Sequence, residues 1–390
     1  MKRLASAALF IAVVCSLALP AFSQTLVVGT CKTAKHQYTT IQSAVDAAPA
    51  NATVLVCPGT YAEQITITAP LTLEGISVPP LPNPTIIGPA SGMADGDQPV
   101  IGVGTHGTHG PVNIQGLVIN DPICMGESRD VSAIEYVSTS GTVTGTVMQG
   151  FGNPTCGGYG IRIENDDAWP VNVELANNFI GELLPYATAI EVTSGPSSSK
   201  LVVQIHDNLV SNAGMALESS TNGNGVWVYG NSFNGFPVGL NAVVLNDAAM
   251  MDHNDITFTY GDPDDLPSAI AAYGDNAIIT GNTINADGRQ AVGISVAGNH
   301  VRVWSNKITG DFVSGDAWPQ SAGIVTSSAS ADIRWNIVGG FNVGIDMGCT
   351  AATVVSNTIL DSATGIAGVP TTATPVNSFV NDTNLLQACP

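Results

Sequence analysis

The chain has 390 residues, only 11% of them charged, and its 31 acidic residues against 11 basic ones give a net charge of -20. A surface this negative excludes nucleic acid and anionic membranes as partners, and disfavours a strongly polyanionic substrate that brings no cations with it. The 42 glycines suit strands stacked at close quarters with tight corners.

Met1-Lys2-Arg3, the apolar run from Leu4 to Pro20 and the small-x-small site Ala21-Phe22-Ser23 read as a secretory signal over 1–23, with Gln24 opening the mature chain. Without Lys2 and Arg3, nine basic residues face 31 acidic ones, a net charge of -22. The run is too short for a membrane span and no later segment resembles one, so a secreted protein, extracellular or periplasmic, is expected. Six cysteines remain beyond Cys15, an even number suited to an oxidising compartment. The expected pairs are Cys31–Cys57, Cys124–Cys156 and Cys349–Cys389.

The segment 24–52 reads as an N-terminal cap that contains a short amphipathic helix within Tyr38 to Pro49. From 53 to 369 the chain repeats. An Asn followed one residue later by an apolar residue recurs at Asn178, Asn208, Asn231, Asn282, Asn306 and Asn357, with looser copies at Asn254 and Asn336. The intervals run from 21 to 30 residues, a period with strand chemistry that predicts coils stacking on themselves. Each coil divides into three short strands. One opens on a small residue and an aliphatic, as in Ala133-Ile134, Gly160-Ile161, Ala189-Ile190, Ala216-Leu217 and Gly239-Leu240. The aliphatic-to-Asn offset is 12 in four coils, from Ile270, Ile294, Ile324 and Ile345, so the Asn turn has a fixed register. Inward Asn residues stacked in this way predict a structural amide ladder. The stretch 370–390 reads as a tail closing the far end.

The helix that starts Tyr38-Thr39-Thr40-Ile41-Gln42, followed by Pro58-Gly59-Thr60-Tyr61-Ala62-Glu63, resembles the pectin-lyase-like right-handed parallel β-helix superfamily. The resemblance implies an all-β solenoid with a short N-terminal capping helix. It names no activity, because that superfamily holds lyases, hydrolases, esterases, epimerases and non-enzymatic adhesins. It also implies that sites lie on the sheet formed by the small-aliphatic strands.

Aligned on their aliphatic residue, those strands present Glu135, Arg162, Glu191 and Glu218 as the next outward residues. The row then continues as Asn241, Ala271, Ser295, Val325 and Asp346. Glu164 shares the face of Arg162. A salt-bridge ladder accounts for Glu135, Arg162 and Glu191, whereas Glu191 beside Glu218 places like charges on adjacent strands. Tyr159, Tyr186 and Trp169 fall near the same rungs, where aromatic faces beside carboxylates suit a sugar ring. The row therefore reads as a polysaccharide or cell-wall glycan site. In a hydrolase, one of Glu191 and Glu218 would be the acid and the other the nucleophile or base. A second outward stack comprises His206, Tyr229 and Asp252, with Gln204 and Trp227 beside them.

Pectinesterase and polygalacturonase signatures do not occur in order, and the scarcity of cations disfavours a proton-abstracting lyase. The loop Tyr260-Gly261-Asp262-Pro263-Asp264-Asp265 resembles an alginate-epimerase signature but lacks its His. Its carboxylates could hold calcium or form a plain acidic turn. No cofactor or resident metal is otherwise expected, and the protein is expected to be a monomer. Two functions stay open: a glycoside hydrolase-like protein that binds and cleaves a polysaccharide, or a non-catalytic, adhesin-like surface or matrix protein.

Overall fold

The computed structural model describes residues 24–33, 37–88, 99–104, 110–120, 131–151, 158–181, 183, 187–195, 200–221, 225–236, 241–259, 267–287, 291–311, 321–371 and 376–389. They form a right-handed parallel β-helix. Among them, a 13-stranded sheet makes one face, and a 26-stranded sheet supplies two further strand series that meet at the Asn corners. The strands pair in parallel with their equivalents in neighbouring coils.

The interior is a set of aliphatic columns. In the 13-stranded sheet, register places Ile134, Ile161, Ile190, Leu217, Val243, Ile270, Ile294, Ile324, Ile345 and Ile366 one above another, all fully buried. Burial of each such side chain contributes about 1.5–3 kcal/mol relative to exposure. The small residue before each aliphatic has a steric cause. Both members of the dipeptide point inward, so strict alternation slips by one residue there, as at Gly160 and Ile161. A Cβ on Gly160 would lie 2.6 Å from the carbonyl oxygen of Ala189 in the next coil.

At the corner between the other two series, each Asn of the repeat is buried. From Asn178 through Asn208, Asn231, Asn254, Asn282, Asn306, Asn336 and Asn357 to Asn377, the backbone N–H and the side-chain Nδ2 of each donate to Oδ1 of the next, at 2.8–3.0 Å. The residue before the Asn has a left-handed backbone, with φ of 56° at Asn177, 55° at Asp207, 65° at Gly230 and 66° at Gly281. Gly, Asn and Asp adopt that conformation at low cost.

The capping helix, α1, spans Ile41–Ala47 and buries Ile41, Ala44 and Val45 over the first coil. Thr40 caps its start by accepting from Ser43 N. Glu63 completes the cap, accepting from Ile41 N at 2.9 Å and Gln42 N at 3.0 Å. Strand Thr25–Val28 already pairs with Ala52–Val56, and strands Val376–Val380 and Asn384–Ala388 add to the far end of both sheets. Disulfides join Cys31 to Cys57 and Cys349 to Cys389, as expected. Cys124 and Cys156 lie outside the described residues. Among those described, no helix is long and apolar enough to cross a membrane.

Candidate functional site

Register pairs Glu135 with Arg162, Arg162 with Glu191 and Glu191 with Glu218 on the outer face of the 13-stranded sheet. The rung after Glu218 carries Val244, not the expected Asn241. Ala242-Val243 is the inward dipeptide of that coil, and Asn241 instead accepts from Ser268 N at 2.8 Å. Gly239-Leu240 imitated the signature three residues too early and lies outside the described residues. Beyond Val244 the row runs Ala271, Ser295, Val325 and Asp346. Charged residues therefore fill four consecutive rungs, and the row is then neutral until Asp346.

Arg162 is the hub. Its Nε lies 2.8 Å from Glu191 Oε2, its Nη1 donates to Glu135 Oε1 at 3.3 Å, and its Nη2 lies 3.7 Å from Glu164 Oε2. The Nε contact is an ion pair off the line of a directed hydrogen bond. Glu135 and Glu191 keep only 14% and 12% of their side-chain surface, so the network sits in the sheet surface and not above it. Burial works to lower the Arg162 pKa, but Glu191, Glu164 and Glu135 outweigh it and raise the value above the ordinary guanidinium range. Glu164 titrates above the usual carboxylate range, because of burial and a hydrogen bond with Asp166, with Arg162 opposing. Glu218 has no ion pair among the described residues, although it neighbours Glu191 in register.

The expected aromatic residues divide. Tyr159 lies within strand Gly158–Asn165, not in a preceding loop, because the slip at Gly160-Ile161 turns residues 159 and 162 to the same outer face. Its ring centroid is 5.6 Å from Arg162 Cζ. Trp169 lies in the turn after that strand and is 59% exposed. Tyr186 lies outside the described residues, as does the acidic loop 260–265. Among the described residues, no group of three His, Cys, Asp or Glu side chains is placed to hold a metal ion.

The second stack lies on the 26-stranded sheet, where register aligns His206, Tyr229 and Asp252, and Gln204 with Trp227. The His206 and Tyr229 rings stack at 4.8 Å with 6° between planes. His206 bridges Asp207, at 2.8 Å from Nδ1, and Glu174, at 3.0 Å from Nε2. Burial tends to lower the His206 pKa, but its bonds to Asp207 and Glu174 prevail and raise it. Glu174 was not singled out from the sequence; it lies one coil earlier in register with Gln204, diagonal to His206, which pairs with Ala176. Glu174 and Gln204 also line a cleft of about 300 Å³ with Asn113, Thr142 and Asn172.

Among solved structures, the chain is similar to the GH136 lacto-N-biosidase of Eubacterium ramulus, at 10% identity and a TM-score of 0.53, over 94% of this chain and 68% of that one. It is also similar to tailspike protein 3 of bacteriophage CBA120, at 12% identity and a TM-score of 0.49, over 93% of this chain and 59% of that one. A third likeness is to the A-module of the mannuronan C-5 epimerase AlgE4 of Azotobacter vinelandii, at 13% identity and a TM-score of 0.39, over 89% of this chain and 92% of that one. The lacto-N-biosidase likeness bears on fold alone, and the chain has a parallel β-helix fold. No family model matches the chain, and no curated protein does.

Proposed function

We propose that the protein binds an extracellular polysaccharide, neutral in character, along the outer face of the 13-stranded sheet. The observation that carries this reading is the confinement of Glu135, Arg162, Glu191 and Glu218 to consecutive rungs, with Tyr159 over Arg162 and Trp169 exposed nearby. Carboxylates accept hydroxyl protons, the guanidinium donates, and the aromatic faces take the apolar side of a pyranose ring. A coil repeat of about 4.8 Å extends the face along one axis, which suits a chain-like ligand. The two disulfides fit an exported protein. A saccharide ligand also accords with the lacto-N-biosidase built on the same fold.

One observation favours cleavage as a second reading. Glu191 is tethered to Arg162, whereas Glu218 on the next rung has no ion pair among the described residues. Two adjacent carboxyl groups in unlike electrostatic settings are what separate acid and base roles require. In this reading Glu191, with its charge held by Arg162, serves as nucleophile or base and Glu218 as acid.

The test is binding and turnover of a polysaccharide panel by the mature chain, with and without calcium, following both reducing ends and unsaturated uronates. Retention by a neutral glycan, weakened about tenfold in Trp169→Ala, supports the binding face. New reducing ends that disappear in Glu191→Gln and Glu218→Gln support hydrolysis, and unsaturated products would replace it with elimination. Absence of both binding and product across the panel overturns the proposal.

A further inference from the structure

The corner row of the helix holds a side chain that its backbone disfavours. Left-handed positions before the ladder Asn are filled by Asn177, Asp207, Gly230, His253, Gly281, Ser305 and Ser356, and in one coil by Trp335, with φ of 58°. A bulky aromatic residue is an outlier in that region, and strain of this kind collects where function holds it in place. Trp335 also fails to gain burial in exchange, since 55% of it is exposed. Its neighbours in the turns before and after are Ser305 and Ser356, too small to cover the ring.

The surroundings indicate what would cover it. Trp304, on the preceding coil, meets Trp335 edge-on, with centroids 6.0 Å apart and planes at 67°. The guanidinium of Arg302 lies 5.3 Å from the Trp304 ring centroid. Arg334 is held by Asp332. Arg302 is exposed and has no ion pair among the described residues. Arg302 stands in register with Asp332, whose carboxylate is held by Arg334. Two cations thus face one anion beside the tryptophans, out of character for a chain with a net charge of -20. The cations supply charge complementarity to an anion, while the rings supply flat apolar area.

We propose that Trp304, Trp335 and Arg302 form a second binding site, distinct from the acidic row, for a saccharide ring bearing a negative group, a carboxylate or a sulfate ester. The ring stacks on Trp335 and its anionic substituent faces Arg302. The acidic row cannot take this ligand, because its carboxylates would repel it. The two sites therefore read different parts of a mixed glycan, or different glycans.

The experiment titrates the mature chain with a glucuronate-containing tetrasaccharide and, separately, a sulfated tetrasaccharide of neutral sugars, reading tryptophan fluorescence and heat. Saturable binding that weakens about tenfold in Trp335→Ser is expected. A smaller loss in Arg302→Gln and weakening as salt is raised are also expected. The unfolding midpoint of Trp335→Ser should equal or exceed that of the parent, because Ser305 and Ser356 occupy the same conformation in adjacent coils. The preferred probe identifies carboxylate or sulfate. The absence of binding to both probes, or full affinity in Trp335→Ser, would overturn the site. Neutral glycans report on the acidic row and charged ones on this corner, so the two readings fail separately.

Discussion

Nε of Arg162 lies 2.8 Å from Oε2 of Glu191, which stands beside it in register one coil further along the sheet. That contact turns what would be two adjacent like charges, Glu191 and Glu218, into one tethered and one untethered carboxylate. It also makes a single cation responsible for keeping three partly buried carboxylates in place.

Replacement of Arg162 by Gln should therefore destabilise the chain by about 1–3 kcal/mol, since the partners lose their counter-charge while staying desolvated. Adding Glu191→Gln to that variant should recover part of the loss. Denaturant unfolding of the two single variants and the double variant measures the coupling, and strict additivity would mean that the ion pair carries no weight.

Glu164 gives a pH signature of unusual sign for a carboxylate. Its folded pKa is raised above the reference value of 4.5 by burial and by Asp166. Its contribution is present in full below the unfolded value and is lost as pH rises through the folded one. Glu164→Gln, which mimics the protonated form, should unfold at or above the parent temperature at pH 7 and flatten the pH dependence in that window. A lower midpoint for Glu164→Gln at pH 7 would show that the charge with Arg162 dominates instead.

His206 behaves in the same direction for the usual cationic reason. Asp207 and Glu174 raise its pKa above 6.5, so its contribution is complete below that value and disappears as pH climbs through the raised one. Since Glu174 and Asp207 are exposed, the effect is small. His206→Gln should lower the unfolding midpoint by no more than about 2 °C at pH 5.5 and leave it unchanged at pH 9. NMR titration of the imidazole protons locates the folded value directly.

Asn254 tests the ladder. It donates to Asn282 Oδ1 and to Val228 O, and accepts from both nitrogens of Asn231. Leucine in its place removes the acceptor of the buried Asn231 backbone N–H and the side-chain donor to Val228 O. A loss of about 3 kcal/mol or more is expected, larger than for an exposed Asn such as Asn299. Hydrogen exchange should show the lost protection concentrated in the coils on either side.

Periodicity made the solenoid legible because its constraints are local and repeated. An inward Asn, a left-handed residue before it and a small-aliphatic dipeptide recur wherever the chain turns the same way. Where two dipeptides competed, Gly239-Leu240 against Ala242-Val243, local pattern could not choose. The rung beside Glu218 was misplaced until strand pairing selected Val243–Leu245. Glu164 shows the same limit, since its raised pKa depends on burial that no motif encodes.

Sequence by itself determined the coil count per unit length, the cap, the ladder and the outward row as far as Glu218. Each follows from steric and hydrogen-bond rules that act over a few residues and repeat. Only the tertiary structure decided how closely Arg162 approaches each carboxylate of its ladder and that Trp335 stands exposed against Trp304. Those relations join residues about 30 positions apart, across coils, where side-chain direction and local burial set the energy and sequence spacing does not.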